Sequence, residues 1–171
     1  MQARLGPLER YADGGGGWII GDPRQEGGAF FVLRADGAAH RAAGAPERVV
    51  TWDRFLDLDT LVTSTRESPR PTGATTDLAG EVPAPGAGSC LRATLRDPDE
   101  NWVGRFSHHA RLYTVSEVLL AGELLRQTVE AGHAAWLGDL GWLDHTVGRL
   151  APLEPRTNRA ARLAVAEVLA S

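Results

Sequence analysis

The chain has 171 residues, 43% of them hydrophobic, enough for one domain with a packed core. Its formal net charge is −4 and all its basic side chains are Arg, so no global basic field draws it to nucleic acid or a membrane surface. The single cysteine, Cys90, excludes an intrachain disulfide and a zinc knuckle. No apolar run approaches a membrane span, and the first residues lack the long apolar core of a signal peptide. A soluble, cytoplasmic protein is the expectation.

Residues 1–17 read as an N-terminal arm, with a short helix or extended arm over 2–12. The run Gly14–Gly17 invites comparison with a phosphate-binding loop. Such a loop needs a strand before it and Lys-Ser or Lys-Thr opening a helix after it, and the chain has no Lys. A flexible connection fits better. Residues 18–113 read as a β-rich region. Trp18-Ile19-Ile20 is a short apolar strand, and residues 21–28 carry turn chemistry. Residues 29–42 form a hairpin with Asp36-Gly37 at the bend, where the pair supplies the positive φ of a tight turn.

From Arg48 to Arg66, Val50, Trp52, Leu56 and Leu58 alternate with Thr51, Asp53, Asp57 and Asp59, with Phe55 among the latter, the pattern of a half-buried strand. The segment is long enough for two strands, or for one with a bend. Residues 67–89, rich in Pro, Gly and Thr, read as a long surface loop. Residues 89–109 are a hairpin with Asp97-Pro98-Asp99-Glu100 as its turn. That turn pairs Leu95 with Trp102, Ala93 with Gly104 and Leu91 with Phe106 inside, and sets Arg92 opposite Arg105 outside.

Helical periodicity begins at Thr114, which forms a capping box with Glu117, and residues 114–171 read as a helical region packed on the sheet. Val115, Val118, Leu119, Leu125 and Val129 form one stripe, and Gly132 is the stop. Leu120 and Leu124 lie on the other side and need cover from a later helix or from a partner chain. Asp139 caps a second helix carrying Leu140, Leu143, Val147 and Leu150, and a third spans about 157–170. Strands first and helices last make an α+β fold: a curved antiparallel sheet or partly open barrel followed by C-terminal helices.

The run from Ala29 to Thr60, with Val50-Thr51-Trp52-Asp53-Arg54-Phe55, resembles part of the bacterial pleckstrin-homology-like (PH-like) domains. There a strand pair with a tight turn precedes a strand ending in hydrophobic–Pro–Trp–x–x–hydrophobic, and Thr51 stands here in the proline's place. The resemblance covers roughly residues 18–130, and the helices after Gly132 exceed it. It implies a bent antiparallel sheet capped by a helix and a role in binding or assembly, although fold alone does not fix function.

The chemistry-bearing residues are few. Cys90 lies near His108 and His109 in the hairpin register, the raw material of a nucleophile–base pair, but no strained turn presents the thiol. His108 and His109 point to opposite faces of a strand, so at most one joins any metal site. Asp57 and Asp59 share a strand face, either as plain surface charge or as a paired acid. Like charges opposite each other destabilise a sheet by about 0.2–1 kcal/mol. Arg92 and Arg105 therefore call for a relieving partner. It is either internal (Asp53, Asp57 or Asp59) or an external anion.

The polar residues do not converge into a catalytic set. The expectation is a non-catalytic binding or assembly module, with a protein partner or self-association through Leu120, Leu124 and Trp136. It needs no cofactor, metal or nucleic acid. The competing expectation is a small-molecule binder or enzyme, with an anion pocket lined by Arg92, Arg105, His108 and His109.

Overall fold

A computed structural model describes residues 4–11, 16–63, 71–72 and 89–171. Gly14 and Gly15 of the glycine run lie outside these residues, as does the 67–89 loop apart from 71–72 and 89. The fold is α+β, with antiparallel strands first and three helices last. One sheet contains β1 (Arg4–Leu5), β2 (Leu8–Arg10), β3 (Trp18–Ile20), β4 (Ala29–Arg34), β5 (Gly37–Ala42) and β6 (Arg48–Thr51), neighbours in chain order. The second contains β7 (Asp59–Thr63), β8 (Pro71–Thr72), β9 (Cys90–Leu95) and β10 (Glu100–Arg105), in the order β10-β9-β7-β8.

The N-terminal segment is neither helix nor free arm. Gly6 turns at φ +53°, β1 and β2 pair through Leu5 and Leu8, and both leucines are fully buried. Burying two leucines contributes about 1.5–3 kcal/mol each, which holds so short a hairpin on the edge of a sheet. The β4–β5 bend falls one residue earlier than expected. Ala35 and Asp36 make the turn, and Gly37 already pairs with Arg34. Gly37 is needed for another reason: a Cβ there would stand 2.2 Å from the Val50 carbonyl oxygen.

The 48–66 segment is two strands with a bend. A 3-10 turn at Trp52–Arg54 separates them and shifts the phase of the alternation. Phe55 is therefore buried and Leu56 exposed, the reverse of a continuous strand. The turn also makes a seam between the sheets. Phe55 bridges Leu95, and the Leu56 N–H donates to the Thr94 carbonyl at 2.9 Å. A second seam forms where the Ser107 N–H donates to the Ala29 carbonyl at 2.7 Å and the Ala29 N–H donates to Ser107 Oγ at 3.0 Å.

The β9–β10 register is offset by two residues from expectation. Leu95 pairs with Glu100, Ala93 with Trp102, Arg92 with Val103, and Arg105 with Cys90. Four residues, 96–99, form the turn. A two-residue shift keeps every side chain on its face, so the apolar residues still point inward while the cross-strand partners change. The two arginines are therefore not face to face.

Helices α1 (Val115–Glu130), α2 (Leu140–Leu150) and α3 (Asn158–Leu169) follow. Thr114 and Glu117 make the full capping box. Gly132, at φ +79°, ends α1 with the His133 N–H donating to the Thr128 carbonyl at 2.9 Å. Helix α1 packs on α3, β7 and β1. Leu120 and Leu124 are 1% and 0% exposed, so cover comes from within this chain and neither is an accessible interface residue.

Candidate ligand-binding cleft

An open cavity of about 690 Å³ lies beside the Ser107–Ala29 seam. Three segments line it: residues 22–29 between β3 and β4, Ala42 and Ala43 at the end of β5, and residues 105–110 after β10. Each is fixed by backbone bonds. The Asp22 N–H donates to the Ser107 carbonyl at 2.9 Å, and the Ala43 N–H donates to the Gly28 carbonyl at 3.2 Å. Gly28 is tightly packed: a Cβ would lie 2.9 Å from the Gln25 carbonyl oxygen and 2.5 Å from Ser107 Oγ, which is held by the Ala29 N–H. The ring of His40, stacked on Phe31 at 4.5 Å, meets the Arg105 carbonyl at 2.8 Å and pins the end of β10 against β5.

Three of the four residues expected to bind an anion line this cavity: Arg105, His108 and His109. Arg92 does not. It lies across from Asp59 on β7, the internal relief that the sequence offered as one alternative. Burial raises the Asp59 carboxyl above its ordinary range and Asp57 adds to the rise, while Arg92 and Arg126 oppose it. Asp57 itself accepts from the Thr94 N–H at 2.7 Å and holds the loop before β7. Among the described residues no cluster of three or more His, Cys, Asp or Glu side chains is arranged to hold a metal ion.

The lining residues differ in what they have left to offer. The Arg105 guanidinium is exposed and has no ion pair or hydrogen bond among the described residues. His109 is committed internally. Its backbone N–H donates to the Tyr113 hydroxyl at 2.9 Å, and that hydroxyl lies 2.7 Å from Nδ1. If the hydroxyl gives its proton to Nδ1, then Nε2 carries the ring proton and faces Glu9 Oε1 at 3.0 Å, an electrostatic contact short of an aligned hydrogen bond. The other tautomer would aim a lone pair at a carboxylate. Burial pushes the His109 pKa down, outweighing Glu9 and Asp22, which push it up. Burial lowers His108 too, with His109 adding to the effect, and raises Tyr113 to about 12.

Two pairs look catalytic by composition and are not presented for catalysis. Ser89 Oγ makes a short contact with His108 Nε2, but Ser89 is 0% exposed. Cys90 is buried, and that burial raises its thiol pKa against the pull of Arg92 and Arg105. A nucleophile needs both reach and a lowered pKa.

Trp136, the third expected interface residue, stays 40% exposed. It stacks on His133 at 3.9 Å and tilts against Trp142 at 5.4 Å. Asp22 and Gln25 line the cleft and were missed in the sequence. Their segment reads only as turn chemistry, and nothing local signals that it folds against residues 105–110, some eighty positions away.

Fold and site together define an α+β protein with an open, mostly apolar cleft beside the seam of its two sheets. No protein-family model matches the chain, and no curated protein and no solved structure matches it either.

Proposed function

We propose that this protein is a non-catalytic cytoplasmic binding module, and that its ligand sits in the cleft with an anionic group on Arg105. One observation carries the reading: a cavity of about 690 Å³ gathers Arg105, His108 and His109, and the Arg105 guanidinium has no ion pair among the described residues. The volume suits a small molecule or a short stretch of chain. Apolar walls from Ala29, Ala42 and Phe106 give contact area, and one guanidinium gives a forked donor for a carboxylate or phosphate. The buried state of Ser89 and Cys90 supports the non-catalytic half of the proposal. Kinship with the PH-like domains belongs to the same proposal, supported by the antiparallel strands followed by α1.

A thermal-shift screen of wild type and Arg105→Gln against carboxylates and phosphates tests it. The expected result is an anion that raises the wild-type melting temperature and has no effect on the variant. A response that survives in Arg105→Gln, or no response to any anion, sinks the reading. A second reading, docking of a protein partner, rests on exposed Trp136 beside exposed Leu140. It predicts that Trp136→Ala abolishes any self-association seen as a mass above 18.3 kDa.

A further inference from the structure

The cleft carries a second charge that a plain anion site does not need. Asp22 lines the same cavity as Arg105, and the two are not ion-paired. The backbone segments that carry the two charges are each fixed. Asp22 Oδ1 accepts from the Arg24 N–H at 2.9 Å, while the Asp22 N–H is bonded to the Ser107 carbonyl. Gly21, just before it, adopts φ +95° and its N–H donates to the Pro7 carbonyl at 3.0 Å. Arg105 ends β10 opposite Cys90, with its own carbonyl tied to His40. A wall of small residues (Ala29, Ala42, Ala43) and Phe106 runs through the same cavity.

We infer that the cleft is built for a zwitterionic ligand of amino-acid or short-peptide chemistry, its carboxylate on Arg105 and its ammonium on Asp22. This deepens the binding reading above and rests on it. A dianion would bring one charge onto Asp22, and a diamine one onto Arg105; each meets a like charge. A zwitterion meets an opposite charge at both ends and lays its apolar middle on the alanines. The cavity of about 690 Å³ exceeds a single amino acid and leaves room for a short peptide. Neither end needs catalysis. The Arg105 fork takes a carboxylate through two N–H donors, and Asp22 keeps one carboxylate oxygen, Oδ2, free of any bond among the described residues.

The test is isothermal titration of the whole chain with alanine, di-, tri- and tetra-alanine, alongside succinate, glutarate and diaminobutane. Wild type, Arg105→Gln and Asp22→Asn are compared, each checked for an unchanged melting temperature. One length of oligoalanine is expected to bind best. It should weaken by at least about tenfold in either variant, since each loses a charge-assisted contact. Asp22→Asn should at the same time bind the dicarboxylates more tightly than wild type does. If dicarboxylates bind wild type better than any oligoalanine, in an Arg105-dependent way, the zwitterion inference fails and the anion-binding reading stands. If no member of the three ligand classes binds, the zwitterion inference fails, and the anion reading fails with it unless a phosphate raises the wild-type melting temperature. If oligoalanines bind with an affinity indifferent to Asp22→Asn, the ammonium is not read by Asp22 and the inference is overturned.

Discussion

Gly138 shows how much one atom decides. A Cβ at this position would lie 2.2 Å from the Arg34 carbonyl oxygen and 2.8 Å from Trp52 Nε1, which donates to that same carbonyl at 2.8 Å. Backbone cannot yield as a flexible side chain can, so Gly138→Ala must push the 134–138 turn off the β4–β5 bend or break the Trp52 bond. We expect a loss of about 1–3 kcal/mol, a drop in melting temperature of roughly 2–12 °C, read by thermal unfolding. An unchanged melting point would show that the turn does not seat there. His108 and His109 set a pH dependence. Burial disfavours both imidazolium forms, so both folded pKa values lie below the free value of about 6.5. Below that value the unfolded chain takes up protons that the folded chain resists. The stability is therefore fully present above about pH 6.5 and drains as pH falls through the folded pKa values. Glu9 and Asp22 temper the effect at His109, and Arg111 reinforces it. Urea unfolding at pH 7.5 and 5.5 should show wild type weakened at the lower pH, and a His108→Asn, His109→Asn double variant weakened less by the same change. Stability that holds or rises on acidification to pH 5.5 contradicts the burial of these rings.

At the scale of elements, the helices were the most legible part of the chain. Thr114 with Glu117, Asp139 with the Trp142 N–H and Thr157 with the Ala160 N–H are all side-chain caps, and each helix starts at its cap. Thr114→Ala removes the side-chain half of the capping box, the bond from the Glu117 N–H to Oγ1, and should cost about 1 kcal/mol, measured by urea unfolding. Leu124 separates cover within the chain from cover by a partner. At 0% exposed, Leu124→Ala should cost about 2–5 kcal/mol in the isolated protein, independent of its concentration. A loss that shrinks on dilution would mean that a second copy supplies the cover. The strands were less legible, for definite reasons. The alternation in 48–58 predicts one continuous face because a 3-10 turn leaves no mark in a period-2 pattern, yet its phase shift buries Phe55 and exposes Leu56. The β9–β10 faces were read correctly and their partners were not, since apolar alternation is blind to a shift of two. Turn geometry decided it: Asp97, at φ +54°, lies inside a loop that leaves Glu100 free to pair. Residues 4–10 carry too few apolar positions to announce a hairpin, and their strand character comes from docking Leu5 and Leu8 against the rest of the core.

For the whole molecule, the α+β order was legible because strand and helix periods segregate along the chain. The cleft was half legible. His108 and His109 stand out by their chemistry and Arg105 by the same expected pairing as Arg92, and the fold brings these three to one cavity. Arg92 was singled out by a register that does not form, and Asp59 answers it instead. Asp22 and Gln25 were invisible because a contact between residues 22–28 and 105–110 is a property of two sheets meeting, not of either segment. That meeting also depends on the first hairpin: Arg111 reaches the Gly6 carbonyl and Glu9 faces His109 beside the cleft. The measurement that bears most directly on the central claim is a two-dimensional amide NMR titration of the full chain with trialanine. We predict saturable shifts confined to residues 21–29, 42–43 and 105–110, lost in Arg105→Gln. Shifts clustered instead around Trp136 and Leu140, or unchanged by Arg105→Gln, would contradict the account and move the binding surface to the helical side.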